Sequence, residues 1–381
     1  MQIGFNKPYL TGKENTYITD AVASGKISGN GKYTQLCQNF FEERYGFKKC
    51  LLTTSCTDAL EMCAILLNIK EGDEVIIPSY TFVSSANPFI LRGAKVIFVD
   101  SMAINPNIDV DLIEDLITPK TKAIVVVHYA GISCDMDKIM GLAKKYDLFV
   151  VEDAAQAIDS FYIGKDGIKR PLGSIGHLAA FSFHETKNII SGEGGMLVIS
   201  DDQFVGRAEI IWEKGTNRSA FWRGEVDKYN WVDIGSSFLP SEIIAAFLWA
   251  QLENLDVIQK RRKSIWEQYY STLIECCEQL GIKLPNIPDY ATNNAHMFYV
   301  VCESLQHRNS LIQHLKNNKI NAVFHYLSLH NSPYYTNSHN GRLLENSDKY
   351  SDRLFRLPMF YELTSEEIDK IIDTIKTCKI E

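Results

Sequence analysis

Nowhere in the 381 residues does an apolar run approach the ~20 residues that a bilayer-spanning helix needs. The stretch Met1-Gln2-Ile3-Gly4-Phe5-Asn6 lacks a charged region leading into an apolar core, so no secretory leader is expected. The nine cysteines are odd in number and scattered, as at Cys37, Cys50, Cys56, Cys63 and Cys134, which argues against a disulfide framework. The adjacent pair Cys276-Cys277 has neither the partners nor the spacing of a zinc site, and no metal is expected. Positive charge is in the minority: 39 Lys and Arg face 47 Asp and Glu, a formal net charge of -8. The one basic run, Lys260-Arg261-Arg262-Lys263, falls in a helical pattern and reads as a solvated face, so nucleic acid is not an expected partner. Low-complexity tracts and internal repeats are missing as well. What remains is the profile of a cytoplasmic protein with reduced thiols.

The length suggests two domains, or one large domain with a smaller lobe. Helices are expected over residues 11–24, closed by Gly25, and over Tyr33–Tyr45. From Gly72 short apolar runs alternate with helical patterns: Glu74–Pro78, Val96–Asp100, Ala123–His128 and Leu148–Asp153, with helices near Val110–Ile117 and over Met136–Tyr146. Near-continuous apolar strands between helices predict an α/β fold with a mostly parallel sheet covered on both faces. Beyond that, a long helix is expected over Glu242–Arg262, continuing past a break to about Leu280. Strands at Met297–Val301 and Ala322–Tyr326 and helices at 307–317 and 365–378 then read as an α+β lobe. The expected division is 1–249 for a large domain and 250–381 for a small C-terminal one.

In parallel sheets ligands sit at the carboxyl ends of the strands. Four polar segments fall there: Ser79–Phe82, His128-Tyr129, Glu152–Gln156 and Ser182–Lys187. Lys187 lies in Phe181-Ser182-Phe183-His184-Glu185-Thr186-Lys187, shortly before Gly192-Glu193-Gly194-Gly195. A lysine in apolar surroundings suits an amine that must form a Schiff base, although most lysines are surface charges. Asp153 closes an apolar strand and is equally suited to capping a helix. Ser55-Cys56-Thr57 opens a helix, where hydroxyls and free N–H groups serve either as a plain N-cap or as a phosphate cradle. Taken together, the three sites fit one cofactor. Pyridoxal phosphate needs a lysine for its aldehyde (Lys187), a carboxylate for its ring nitrogen (Asp153) and a phosphate site (Ser55, Cys56 and Thr57). Phe82 is then placed to stack on the ring, Gln156 to bond its phenolic oxygen, and Ser182 to add a phosphate contact.

Glu152-Asp153-Ala154-Ala155-Gln156, the Lys187 stretch and Gly192-Glu193-Gly194-Gly195 resemble the DegT/DnrJ/EryC1/StrS family of sugar-nucleotide aminotransferases over nearly the full length. The resemblance implies fold type I, the aspartate aminotransferase-like architecture, with a seven-stranded sheet and a smaller C-terminal lobe. It also implies a homodimer with active sites at the subunit interface. Four further stretches, Pro78–Ser84, Val127–Gly131, Glu213–Ser219 and Asn294–Tyr299, are similar to members acting on dTDP-linked 4-keto-6-deoxyhexoses. The implied reaction moves the amino group of L-glutamate by way of pyridoxamine phosphate to C4 of dTDP-4-dehydro-6-deoxyglucose, giving the galacto-configured amine. The gluco epimer, or amination of a 3-keto sugar nucleotide, stays open. Some members carry histidine at the lysine position and act as dehydratases, so Lys187 points to transamination and to the role of catalytic acid and base. Family analogy assigns Asn230, in Lys228–Ile234, to the cofactor phosphate of the neighbouring subunit. Arg218 and Arg223 are candidates for the diphosphate, surface arginines being the equal alternative. His325 and His330 resemble a motif near the substrate, with a purely structural role equally open. A non-enzymatic regulator on this fold is expected to carry a DNA-binding domain, and no helix-turn-helix is legible here.

Overall fold

Seven strands of the computed structural model, which describes residues 2–378, build the main sheet. They are β1 (Lys49–Thr53), β2 (Glu74–Pro78), β3 (Lys95–Val99), β4 (Thr121–Val127), β5 (Phe149–Asp153), β6 (Leu178–Ser182) and β7 (Gly195–Ile199). Their order is β1-β7-β6-β5-β4-β2-β3. The pairs β2–β3, β2–β4, β4–β5 and β5–β6 are parallel, whereas β7 runs antiparallel to both neighbours. This is the mostly parallel α/β sheet that the alternating pattern predicts.

The continuous apolar runs have a direct cause, because successive side chains in a strand point to opposite faces and both faces are covered. Leu52, Ile76, Ile124, Val126, Val150, Ala179, Met196 and Val198 join one core layer. Their neighbours Leu51, Val75, Ile77, Ala123, Val125, Val151, Ala180 and Leu197 join the other. The first layer is closed by α1 (Glu14–Ala23), α2 (Lys32–Tyr45) and α5 (Glu242–Leu252), and the second by α3 (Cys56–Leu66). Between α3 and α5, α4 (Met136–Tyr146) also covers the first layer. Gly46 ends α2 at φ 69°, a left-handed position that glycine adopts without strain.

Two helical expectations are corrected. Residues 110–117 form two short 3₁₀ turns, Val110–Leu112 and Glu114–Leu116, not an α-helix. The Asp109 side chain accepts from Asp111 N, and Ile117 is already extended ahead of Thr118-Pro119, so the segment is too short to propagate a helix. The long helix breaks earlier than expected, at Glu253-Asn254, where Asn254 Nδ2 donates back to Ala250 O at 3.0 Å. It resumes as α6 (Leu255–Leu273), which ends short of Leu280.

Residue 249 lies inside α5, which packs on α1 and α2, while α6 packs on the last helix, α8 (Ser365–Lys376). A second, antiparallel sheet has the order β8 (Ile282–Lys283), β9 (Tyr299–Cys302), β11 (Leu354–Arg356), β10 (Val323–Phe324). With α7 (Leu305–Asn317) and α8 it encloses Phe298, Leu315, Phe355 and Ile371. Ile3 belongs to this core too and pairs with Ile320, so the N-terminal segment rests on the C-terminal lobe. The basic run on α6 is a solvated face only in part: Lys260 is exposed, but its arginines turn inward. Arg262 shares the buried stripe of Ile258, Gln259, Ile265 and Trp266, and donates to the carbonyls of Ala295 and His296. Arg261 likewise donates to the carbonyls of Tyr361 and Leu363.

Candidate active site

Because β1, β2, β4, β5 and β6 point the same way, their carboxyl ends meet along one edge of the sheet. A cavity of about 530 Å³ opens there, lined by Ser55, Cys56, Thr57, Phe82, Asp153, Gln156, Ser182, Lys187 and His325 among others. Nine of the residues expected from the sequence therefore converge on one space.

Lys187 is presented by a tight loop between β6 and β7. Phe183 N donates to Gly194 O, Ser191 N to Phe183 O, and Glu185 N to Gly192 O, while Lys187 N closes a turn onto His184 O. Gly192, at φ 81°, supplies the left-handed residue that this loop requires. The lysine is half-buried, its accessible surface turned to the cavity, and among the described residues its amine makes no ion pair. Burial pulls its pKa below the ordinary lysine value, and Arg356 pushes the same way, against Cys56 and Asp153.

Asp153, 5% exposed, ends β5. No helix follows it, so the capping alternative falls away. Ser85 Oγ donates to one carboxylate oxygen at 2.6 Å, and Ala155 N to the other at 3.1 Å. Burial nevertheless raises its pKa above the usual carboxylate range, against the pull of Ser85, Ala155 N and Lys187. A buried carboxylate with so few donors is suited to a cationic partner such as a protonated ring nitrogen.

Opposite stands the N-terminus of α3. Ser55 is its N-cap, accepting from Asp58 N at 3.1 Å. The N–H groups of Cys56 and Thr57 precede the first intrahelical donor and point out of the helix end, where an anion is favoured. Thr57 Oγ1 donates to Ser84 Oγ at 2.8 Å. Gly195 makes this cup possible: a Cβ there would run into the Ser55 carbonyl and Cys56 nitrogen. Gln156 Oε1 accepts from Ala130 N at 2.6 Å, and its Nε2 donates to Tyr326 Oη at 3.2 Å. Behind Asp153, Glu152 accepts from His128 Nε2 at 2.9 Å and from the N–H groups of Gly173, Ile175 and Gly176, with both side chains wholly buried. The residues present thus fit pyridoxal phosphate by a half-buried amine, a buried carboxylate and a helix N-terminus around one cavity.

A model of the DegT/DnrJ/EryC1/StrS aminotransferase family matches residues 8–376. The chain belongs to that family. It is a pyridoxal-phosphate-dependent sugar aminotransferase of fold type I. The spore coat polysaccharide biosynthesis protein SpsC of Bacillus subtilis is 31% identical, the alignment covering 98% of this chain and 96% of SpsC. Among solved structures, the putative sugar aminotransferase Spr1654 of Streptococcus pneumoniae, in its PMP form, superposes with a TM-score of 0.90 at 29% identity, covering 99% of this chain and 98% of that one. DesV of S. venezuelae, solved with a ketimine intermediate, matches at TM-score 0.89 and 28% identity, both chains covered completely.

The remaining expected residues of this aminotransferase lie apart. His330 is outside the cavity, 3% exposed, its Nδ1 bonded to Ser79 Oγ at 2.7 Å. Its ring ties the Ser328–Asn331 turn to the end of β2, which is the structural alternative. His325 does line the cavity, its Nδ1 2.9 Å from Tyr129 Oη, and burial holds its pKa well below the ordinary histidine value. Arg218, Arg223 and Asn230 occupy an exposed excursion after the helix Val205–Trp212. Arg223 is engaged with Glu209 at 2.9 Å and Glu225 at 2.7 Å, and Arg218 lies 3.7 Å from Glu213. None of the three reaches its own chain's cavity. Sequence reading gave no role to Ser85, Tyr326 or Arg356, all of which touch this site. No motif marks Ser85 or Arg356, whereas Tyr326 stood unremarked beside His325.

Proposed function

We propose that this enzyme transfers the amino group of L-glutamate to C4 of dTDP-4-dehydro-6-deoxy-D-glucose, yielding the galacto-configured 4-amino-4,6-dideoxy sugar nucleotide and 2-oxoglutarate. The observation that carries the reading is Lys187: a desolvated amine without an ion-pair partner among the described residues, sharing a cavity with the buried Asp153. When bound, pyridoxal phosphate supplies the electron sink that lets a proton leave the carbon bearing nitrogen.

This chain's residues do the rest. Lys187, its pKa lowered, offers a neutral amine that would pass the proton of the donor carbon to the cofactor in one half-reaction and a proton from the cofactor to the sugar carbon in the other. Asp153 would hold the ring nitrogen, and the N–H groups of Cys56 and Thr57 the phosphate. Ser55 accepts from Asp58 N through its oxygen and keeps its own proton free to donate. Ser182 adds a second hydroxyl on that side, Phe82 a ring face, and Gln156 a fixed amide.

The functional unit is a homodimer in which the excursion carrying Asn230 reaches the partner's cofactor site. Support comes from Trp222 and Trp231, 71% and 80% exposed on that excursion, a cost in water that a second subunit relieves. Arg218 and Arg223 would there be available to a diphosphate.

Incubation with pyridoxal phosphate, glutamate and the 4-keto sugar nucleotide, followed by proton NMR of the product, tests the assignment. A small H3–H4 coupling means the axial, galacto amine. A large coupling means the gluco epimer, and no amination moves the search to 3-keto sugar nucleotides.

A further inference from the structure

Beside Lys187 lies a buried polar network that no step above uses: Asn188, Gln259, Asn294 and His296. Asn188 belongs to the Lys187 loop. Its Nδ2 lies 2.9 Å from the Asn294 carbonyl oxygen and 2.8 Å from Gln259 Oε1 on α6. A carbonyl only accepts, so this end of the Asn188 amide is its N–H₂ and the other end its oxygen. His296 Nδ1 stands 2.8 Å from that oxygen and must therefore donate. The ring proton is thereby assigned to Nδ1, and Nε2 is left bare. Burial, with Lys187, Arg262 and Arg356 nearby, pushes the pKa of His296 well below the ordinary histidine value, so the ring keeps this neutral form.

Asn294 completes the connection. Its Nδ2 donates to Gln156 O and Ile158 O, both at 2.8 Å, and its Oδ1 accepts from His296 N at 3.0 Å. Ala295 between them holds φ 53°, a left-handed position that alanine keeps only where its surroundings enforce it. Arg262 supplies part of that enforcement through the Ala295 and His296 carbonyls. The backbone just after Asp153 and the backbone carrying Lys187 are therefore fastened to one turn. Proton transfer needs such fastening, because an amine displaced by about 1 Å from its target carbon loses much of its rate.

We propose that Asn188 and His296 are positioning residues: the Nδ1 proton of His296 fixes the Asn188 amide, and that amide sets the Lys187 loop against the segment following Asp153. The inference rests on the transamination reading above.

The first test needs no cofactor. In the cofactor-free chain labelled with ¹⁵N-histidine, NMR should show one ring protonated at Nδ1 alone, and this ring should vanish in His296→Asn. It should not titrate through the range in which an exposed histidine does. An Nε2-protonated ring, or one that gains a second proton in that range, overturns the proposal.

The second test follows the cofactor-loaded enzyme with saturating L-glutamate in a single turnover, read by visible absorbance. Asparagine puts an amide N–H₂ where Nδ1 lies, and glutamine puts one where Nε2 lies. His296→Asn should stay within about 3-fold of wild type, whereas His296→Gln should lose roughly 10²-fold. Asn188→Ser removes the accepting oxygen without touching His296 and should lose by a comparable factor, which keeps the test open if His296→Gln does not fold. A purely structural network would lower the melting temperature and leave the saturated rate of the folded enzyme unchanged. Equal rates for His296→Asn and His296→Gln, or a wild-type rate in Asn188→Ser, overturn the proposal. Failure of the transamination reading looks different, since the wild type itself would then not respond to L-glutamate.

Discussion

Ser85 Oγ lies 2.6 Å from Asp153 Oδ2, joining the turn after β2 to the carboxyl end of β5. The serine donates, and this hydrogen bond favours the ionised carboxylate, although burial still leaves its pKa above the usual carboxylate value. Asp153→Asn keeps the shape and removes the charge, and turnover should fall roughly 10²-fold or more with the fold intact. Ser85→Ala removes one donor and should cost about 10-fold. Steady-state kinetics alongside thermal melts would decide, and an Asp153→Asn enzyme working at wild-type rate would refute the assignment.

Lys187 predicts a pH profile. Its folded pKa is lowered, chiefly by burial, so the free amine persists to lower pH than for an exposed lysine. The rate of pyridoxal phosphate attachment to the cofactor-free protein should rise with pH and level off below the ordinary lysine value. An inflection at or above that value would contradict the picture. Lys187→Ala should abolish turnover while leaving the circular dichroism spectrum unchanged.

Glu152 anchors the strand end from behind. Burial pushes its pKa up, but His128 and the backbone N–H groups of Gly176 and Gly173 more than offset this, holding it below the usual value. Its contribution is present above the unfolded-state pKa and lost as pH falls through the lower folded one. Glu152→Gln would set an amide N–H₂ against backbone donors and should destabilise by about 3–5 kcal/mol. Urea melts between neutral and acidic pH should show the wild type losing its advantage over the variant in acid.

Gly195 has no room for a side chain, because a Cβ would strike the Ser55 carbonyl and the Cys56 nitrogen. Gly195→Ala should push the α3 N-terminus out of line, costing about 1–3 kcal/mol and weakening cofactor retention. Equilibrium dialysis against pyridoxal phosphate reads the second effect. Wild-type retention in this variant would argue that the phosphate sits elsewhere.

A dimer built through the excursion around Asn230 should respond to charge. Trp231→Lys, at an 80% exposed position, should shift light-scattering mass from dimer toward monomer. An unchanged dimer would place the interface elsewhere.

Much of this molecule was legible before any coordinates. Two-faced apolarity in Val75–Ile77, Ala123–Val126 and Val150-Val151 announces a covered parallel sheet, since only strands buried on both faces read that way. A parallel sheet in turn gathers its carboxyl ends, which is why Asp153, Ser182 and Lys187 could be assigned to one site from their positions alone. Residues 110–117 and the break at Asn254 were not legible, because a proline two residues on and one back-bonding amide outweighed an adequate helical pattern. Arg356, Ser85, Arg262 and His330 were decided only by tertiary structure. Each takes its meaning from a partner far away in the chain: the cavity and Phe5, Asp153, the Ala295-His296 carbonyls, and Ser79. Local patterns govern which face of an element is apolar. Where one lobe's strand end meets another lobe's lysine depends on how the two cores pack, and no short stretch of sequence records that.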